Sequence, residues 1–131
     1  MSLPQGWRTP DFGRQAEIDG AAYLRGLGFR VVASRFQTRE GEIDLVAWDG
    51  HTLVFVEVKA RRSAAPPEDS VGSRKQQRVR GAAREYMRKY RQQDAPFRFD
   101  ILAVSAEPGR APEFRLLRDV FTDGRPDTFR P

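Results

Sequence analysis

The spacing of apolar and polar positions divides the chain into helical and extended stretches. Phe12, Ala16, Tyr23 and Leu27 recur at helical spacing, which predicts an amphipathic helix over residues 10–27. Thr9-Pro10-Asp11 marks its start with a capping hydroxyl, a proline at the first helical position and an acid in the first turn. Gly28 closes it. "FRVVASRF" then reads as a strand, and "QTREG" at 37–41 as a turn into a second strand at about 42–48. Asp49-Gly50 is a hairpin signal between two apolar runs, so the third strand, 52–60, pairs antiparallel with the second. Val79, Ala82, Ala83, Tyr86, Met87 and Tyr90 form the apolar stripe of a second helix over 73–92. "FRFDILAV" gives a fourth strand at about 97–104, and after a Pro108-Gly109 turn "EFRLL" gives a fifth. The connection "RRSAAPPEDSVGS" reads as a mobile loop, and the tail from Thr122 as frayed.

Helix, three strands, helix, two strands is the order of an α/β fold, here an α/β/α sandwich around a central mixed five-stranded sheet. With 131 residues the chain is expected to be one domain, its core about 10–121, with short flexible N- and C-terminal tails.

One stretch breaks the simple pattern. "GEIDLVAWDGHTLVFVEVKA", residues 41–60, sets Asp44 in one apolar run and Glu57 and Lys59 in the next. Side chains alternate along a strand, so Leu53, Phe55, Glu57 and Lys59 share a face, as do Glu42, Asp44, Val46 and Trp48 on the partner. The hairpin can bring Asp44 and Glu57 together with Lys59 beside them. Two close carboxylates repel and raise each other's pKa, a conflict that a divalent cation resolves. Mg²⁺ takes one or two carboxylates and keeps several waters, and it can polarise a phosphodiester and supply a hydroxide-like nucleophile. The competing reading is a structural ion cluster of Asp44 and Glu57 with Lys59 and Arg61.

Composition narrows the chemistry. There is no cysteine and a single histidine, His51, so thiolate zinc sites, disulfide scaffolds and multi-imidazole hydrolases are excluded. Lys plus Arg number 23 against 18 Asp plus Glu, a net charge of +5, which suits a polyanionic partner. No apolar run reaches membrane-spanning length and the first residues lack a signal-like apolar stretch, so a cytoplasmic location and no membrane are expected.

Asp44, a twelve-residue gap, then Glu57-Val58-Lys59 resembles the PD-(D/E)xK nuclease signature. The ensemble is more specific: "GRQAEIDGAAYLRGLGF", "REGEIDLVAWDG", "VFVEVKARR", "SRKQQRVRGAAREYM" and "FRFDILAV" follow one another as in the YraN-type family. That family consists of small bacterial proteins with a restriction-endonuclease-like fold, akin to archaeal Holliday junction resolvases. The resemblance spans roughly residues 12–121. It implies Asp44 and Glu57 as metal-binding acids, the Val58 carbonyl as a further ligand, Lys59 as the catalytic lysine and Glu17 as the helix acid that completes the site. Lys75 and Gln76 match the family's basic helix start. The chain departs from relatives at Arg35-Phe36, where Arg-Asn is frequent, and at Ala64-Ala65, where Phe-Gly is frequent.

The second helix carries Arg74, Lys75, Arg78, Arg84 and Arg88 with one acid, Glu85. Like charges at i, i+4 destabilise a helix by a few tenths of a kcal/mol each, a cost a phosphate backbone offsets. Arg61 and Arg62 extend the positive field. The expectation is a Mg²⁺-dependent endonuclease, Mn²⁺ substituting, acting on DNA rather than RNA at branched or flapped structures. Its alternative is a non-catalytic nucleic-acid-binding subunit or adaptor. Beyond nucleic acid the expected partner is either a second copy in a homodimer, as in resolvase-like relatives, or a DNA-processing protein that a small exposed site would need; no long apolar surface stripe demands a dimer.

Overall fold

The computed structural model describes residues 12–61, 73–107 and 109–121. The expected helix start at Thr9-Pro10-Asp11, the connection containing Arg62, Pro108 and the tail from Thr122 lie outside these residues. Two helices, α1 (Phe12–Gly26) and α2 (Ser73–Lys89), flank five strands: β1 (Arg30–Gln37), β2 (Glu42–Asp49), β3 (Thr52–Arg61), β4 (Phe97–Ser105) and β5 (Glu113–Leu117). The sheet order is β1-β2-β3-β4-β5. Among the described residues only β3 and β4 pair in parallel. Parallel neighbours need a long crossover, and α2 lies in that connection.

Central β3 explains its own sequence. Leu53-Val54-Phe55-Val56 is buried throughout, a continuous apolar run because both faces of the strand are covered. Val54 and Val56 join Ala16, Leu24 and Leu102 in the core under α1. Leu53 and Phe55 join Val79, Ala82, Ala83, Tyr86 and Met87 in the core under α2. A helix therefore packs on each face.

Turn chemistry fixes the connections. Asp49 pairs with Thr52, so Gly50-His51 is a two-residue turn with positive φ only at Gly50 (61°). Glycine at the first central position is the type II′ requirement. After α1, Phe29 N–H donates to the Leu24 carbonyl and Gly28 N–H to the Arg25 carbonyl, both at 3.0 Å. With Gly28 at φ 98° this is a Schellman close. α2 closes the same way, Gln92 N–H reaching the Met87 carbonyl at 2.7 Å, but the left-handed residue is Arg91 (φ 55°).

The expected α1 stripe is corrected. The buried positions are Ala16, Gly20, Ala21 and Leu24, while Leu27 is exposed and Tyr23 stacks on Phe114 at 4.7 Å. A Cβ at Gly20 would lie 2.8 Å from Leu102 Cδ2, so the seam uses small residues to bring helix and sheet together. In α2 the expected stripe is buried as far as Met87, and Tyr90 is exposed.

Candidate metal centre and nucleic-acid face

The site begins where the alternation of β2 fails. Ile43 packs in the core under α2 with Val46, whereas Leu45 and Ala47 pack under α1. The period of two therefore breaks at Asp44, and the expected alternation through Glu42, Asp44, Val46 and Trp48 is corrected: Ile43 shares the face of Val46. Ser34 pairs with Leu45 and Phe36 with Ile43, which places Arg35 opposite Asp44. Arg35 has a left-handed backbone, φ 52°, a conformation that costs a non-glycine residue roughly 1–2 kcal/mol. Both strands turn over together at this point.

Asp44 consequently reaches sideways to β3, where its Oδ2 accepts the Val58 N–H at 2.8 Å. An extended residue points its N–H and C=O to the same edge, so the Val58 carbonyl faces the gap as well. Burial, and after it the negative charge of Glu57, pushes the Asp44 carboxyl up to about 7. The Val58 bond opposes the shift, while Glu17 and Glu42 add to it. Asp44 thus sits in the combined field of acids from α1, β2 and β3.

Two of those acids have cationic partners. Glu57 is buried, on the same face as Phe55, and Lys75 of α2 meets its Oε2 at 2.5 Å. Glu17 comes from α1, on the other side of the sheet, and accepts from Arg35 Nε at 2.8 Å. Glu17 thus pairs with Arg35 rather than with its helix neighbours Arg14 or Arg25. Lys59 lies half-buried in β3 two residues beyond Glu57, which by alternation gives it the same face.

The donor set is suited to a hard cation. Asp44, Glu57 and the Val58 carbonyl offer only oxygen, as Mg²⁺ prefers. Among the described residues no three acids or imidazoles converge into a ready-made cage. Mg²⁺ needs none, because it is commonly bound through one or two carboxylates plus water. Lys75 would have to share or release Glu57 Oε2 for the ion to enter.

The basic residues divide by task. Arg74, Lys75, Arg78, Arg84 and Arg88 of α2 are exposed, and Gln76 and Arg61 are half-buried. Arg88 pairs with Glu85. Arg80 serves the fold instead: its guanidinium lies 5.7 Å from the Phe99 ring centre and 5.6 Å from that of Phe121, and it donates to the Phe121 carbonyl at 3.0 Å. Arg62 lies outside the described residues. Sequence reasoning does not single out Arg35 as a partner of Glu17, and nothing local signals it, because its left-handed backbone lacks the usual Gly or Asn.

A mixed five-stranded sheet between two helices, with acids gathered where β2 and β3 meet, defines a restriction-endonuclease-like α/β/α protein. The uncharacterised protein family UPF0102 matches residues 16–104. A UPF0102 protein of Syntrophus aciditrophicus is 39% identical over 121 residues, 91% of this chain and 92% of its own. One from Solibacter usitatus is 43% identical over 113 residues (83% and 84%), and one from Geotalea uraniireducens 40% over 111 residues (83% and 87%). The chain belongs to UPF0102, the YraN family. Among the described residues no helix is long and apolar enough to cross a membrane.

Proposed function

We propose that the protein hydrolyses phosphodiester bonds in nucleic acid, DNA in preference to RNA, with Mg²⁺ or Mn²⁺ bound by Asp44, Glu57 and the Val58 carbonyl. The observation that carries this is Asp44 itself: a carboxylate drawn into the gap between two strands, partly buried beside Glu57, with its pKa raised to about 7. Such crowding weakens the apo fold and favours a bound cation. The ion, when bound, supplies charge neutralisation at the phosphate and an acidified water. Lys59 orients that water or meets the charge developing on the phosphoryl oxygens. Glu17 and Arg35 hold each other at the α1 side and border the approach to Asp44. The exposed arginines of α2 hold the backbone and steer it inward.

A second reading is favoured by the Lys75–Glu57 and Arg35–Glu17 bonds, which neutralise two of the acids with protein cations. On that reading the protein holds nucleic acid as a subunit or adaptor and cuts nothing. Labelled single-stranded, duplex, flap and four-way substrates with Mg²⁺ or Mn²⁺ separate the two. Metal-dependent cutting that disappears in Asp44→Ala and Glu57→Ala supports the enzyme. Absence of cutting on every substrate, with binding intact in parent and variants, overturns it.

A further inference from the structure

On the α1 side of the sheet, a cavity of about 390 Å³ runs between α1 and β1. Its helical wall is Arg14, Ile18, Ala21 and Arg25, and its strand wall runs from Val31 to Arg35. Arg14 and Arg25 are eleven residues apart, three turns of helix, so they face the same way roughly 16 Å apart along the axis. Among the described residues four large apolar side chains are exposed, and two of them, Ile18 (54%) and Val32 (38%), line this groove. The groove also contains Glu17 and Arg35, the pair that borders Asp44.

We infer that this groove binds a single-stranded nucleic-acid segment and leads it to the Asp44 site. The inference rests on the proposed reading of that site as one that handles phosphodiesters. Charge complementarity selects the occupant. Cations at the two ends suit phosphates of one strand that are more than one nucleotide apart, and an exposed apolar floor between them suits the face of an unpaired base, the combination that single-strand binders use. A base in a duplex keeps its face stacked and cannot reach Ile18 or Val32. The groove therefore discriminates strand from duplex, a task distinct from that of the exposed arginines on α2, which lie across the sheet.

The test is fluorescence anisotropy in EDTA, at about 0.1 M salt, with a labelled oligonucleotide presented as a single strand and as a duplex. The double variant Arg14→Glu with Arg25→Glu alters two exposed positions and is expected to keep the parent's circular dichroism. It should bind the single strand at least tenfold more weakly and the duplex within about twofold of the parent. Its salt dependence on single strand should flatten by about 0.7 in log K per log salt for each phosphate it no longer neutralises. Ile18→Ser should weaken single-strand binding several-fold without altering that slope. Unchanged single-strand affinity in the double variant overturns the inference, as does an equal loss on both substrates. So does a parent that dimerises in sedimentation while the variant does not, which would make the groove an interface between copies. The assay requires no cutting, so it decides the groove even if the protein hydrolyses no substrate.

Discussion

Replacing Asp44 by asparagine separates the charge of this side chain from its shape. The carboxamide keeps an oxygen for the Val58 N–H and removes the charge that burial and Glu57 oppose. A carboxyl raised from 3.8 to about 7 corresponds to on the order of 4 kcal/mol of pH-dependent stability. The direction follows from proton counting. Between these values the folded protein keeps a proton that the unfolded chain has released, so stability falls as pH rises and levels off above about 7. The stability gained by Asp44→Asn should thus be near zero at about pH 4, grow through pH 5 and 6, and reach a few kcal/mol at pH 8. For a chain of 131 residues that amounts to roughly 10 °C in Tm. Urea unfolding of both proteins in EDTA across this range measures it, and titrations common to the two cancel in the difference. Added Mg²⁺ should then stabilise the parent at pH 8 and leave Asp44→Asn unmoved. A variant no more stable than the parent at pH 8, or a difference that does not change with pH, refutes the electrostatic account of Asp44.

Gly41→Ala would set a Cβ 2.8 Å from the Arg78 carbonyl oxygen; because that atom is helix backbone, a loss of about 1–3 kcal/mol in urea unfolding is expected. Arg91→Gly removes a left-handed arginine at the close of α2 and should stabilise by about 0.5–1 kcal/mol, the strain relieved exceeding the entropy glycine adds to the unfolded chain. Arg84→Glu with Arg88→Glu should weaken DNA binding and flatten its salt dependence by about 0.9 for each duplex phosphate left without its cation, and an unaltered slope would remove α2 from the binding face. Asp100→Asn takes one of two carboxylates from Arg98, which keeps Asp49 at 3.0 Å; because burial already pushes the Asp100 carboxyl up, a loss of only about 1–2 kcal/mol is expected in the same unfolding assay, from the charge-assisted bonds weakened.

Elements with strong periodicity are legible in the sequence. The two-residue hairpin announces itself through Asp49-Gly50, and the pairing of β2 with β3 follows, which brings Asp44 near Glu57. β5 has the expected bounds, Glu113–Leu117. The α1 stripe is not legible in the same way, because large residues stand out over small ones. Ala16, Gly20, Ala21 and Leu24 are present at helical spacing, but a seam defined by close approach is written in what is missing from the side chains. The overturn of β1 and β2 has no local signal at all. It depends on Arg35 adopting a left-handed backbone without glycine, a choice imposed by the Glu17 bond and by the partner strand rather than by local propensity. Glu17, from the helix on one face, and Glu57, on the other face of β3, both act on the Asp44 that this overturn turns aside.

The bond from Val58 N–H to Asp44 puts a titrating group on a backbone amide that would otherwise take part in an ordinary strand ladder. That amide's proton resonance should move with the ionisation of Asp44, and its exchange with solvent should slow when a cation locks the carboxylate in place. A single backbone signal in the middle of the sheet can therefore report, without label or substrate, whether the centre is empty, protonated or loaded.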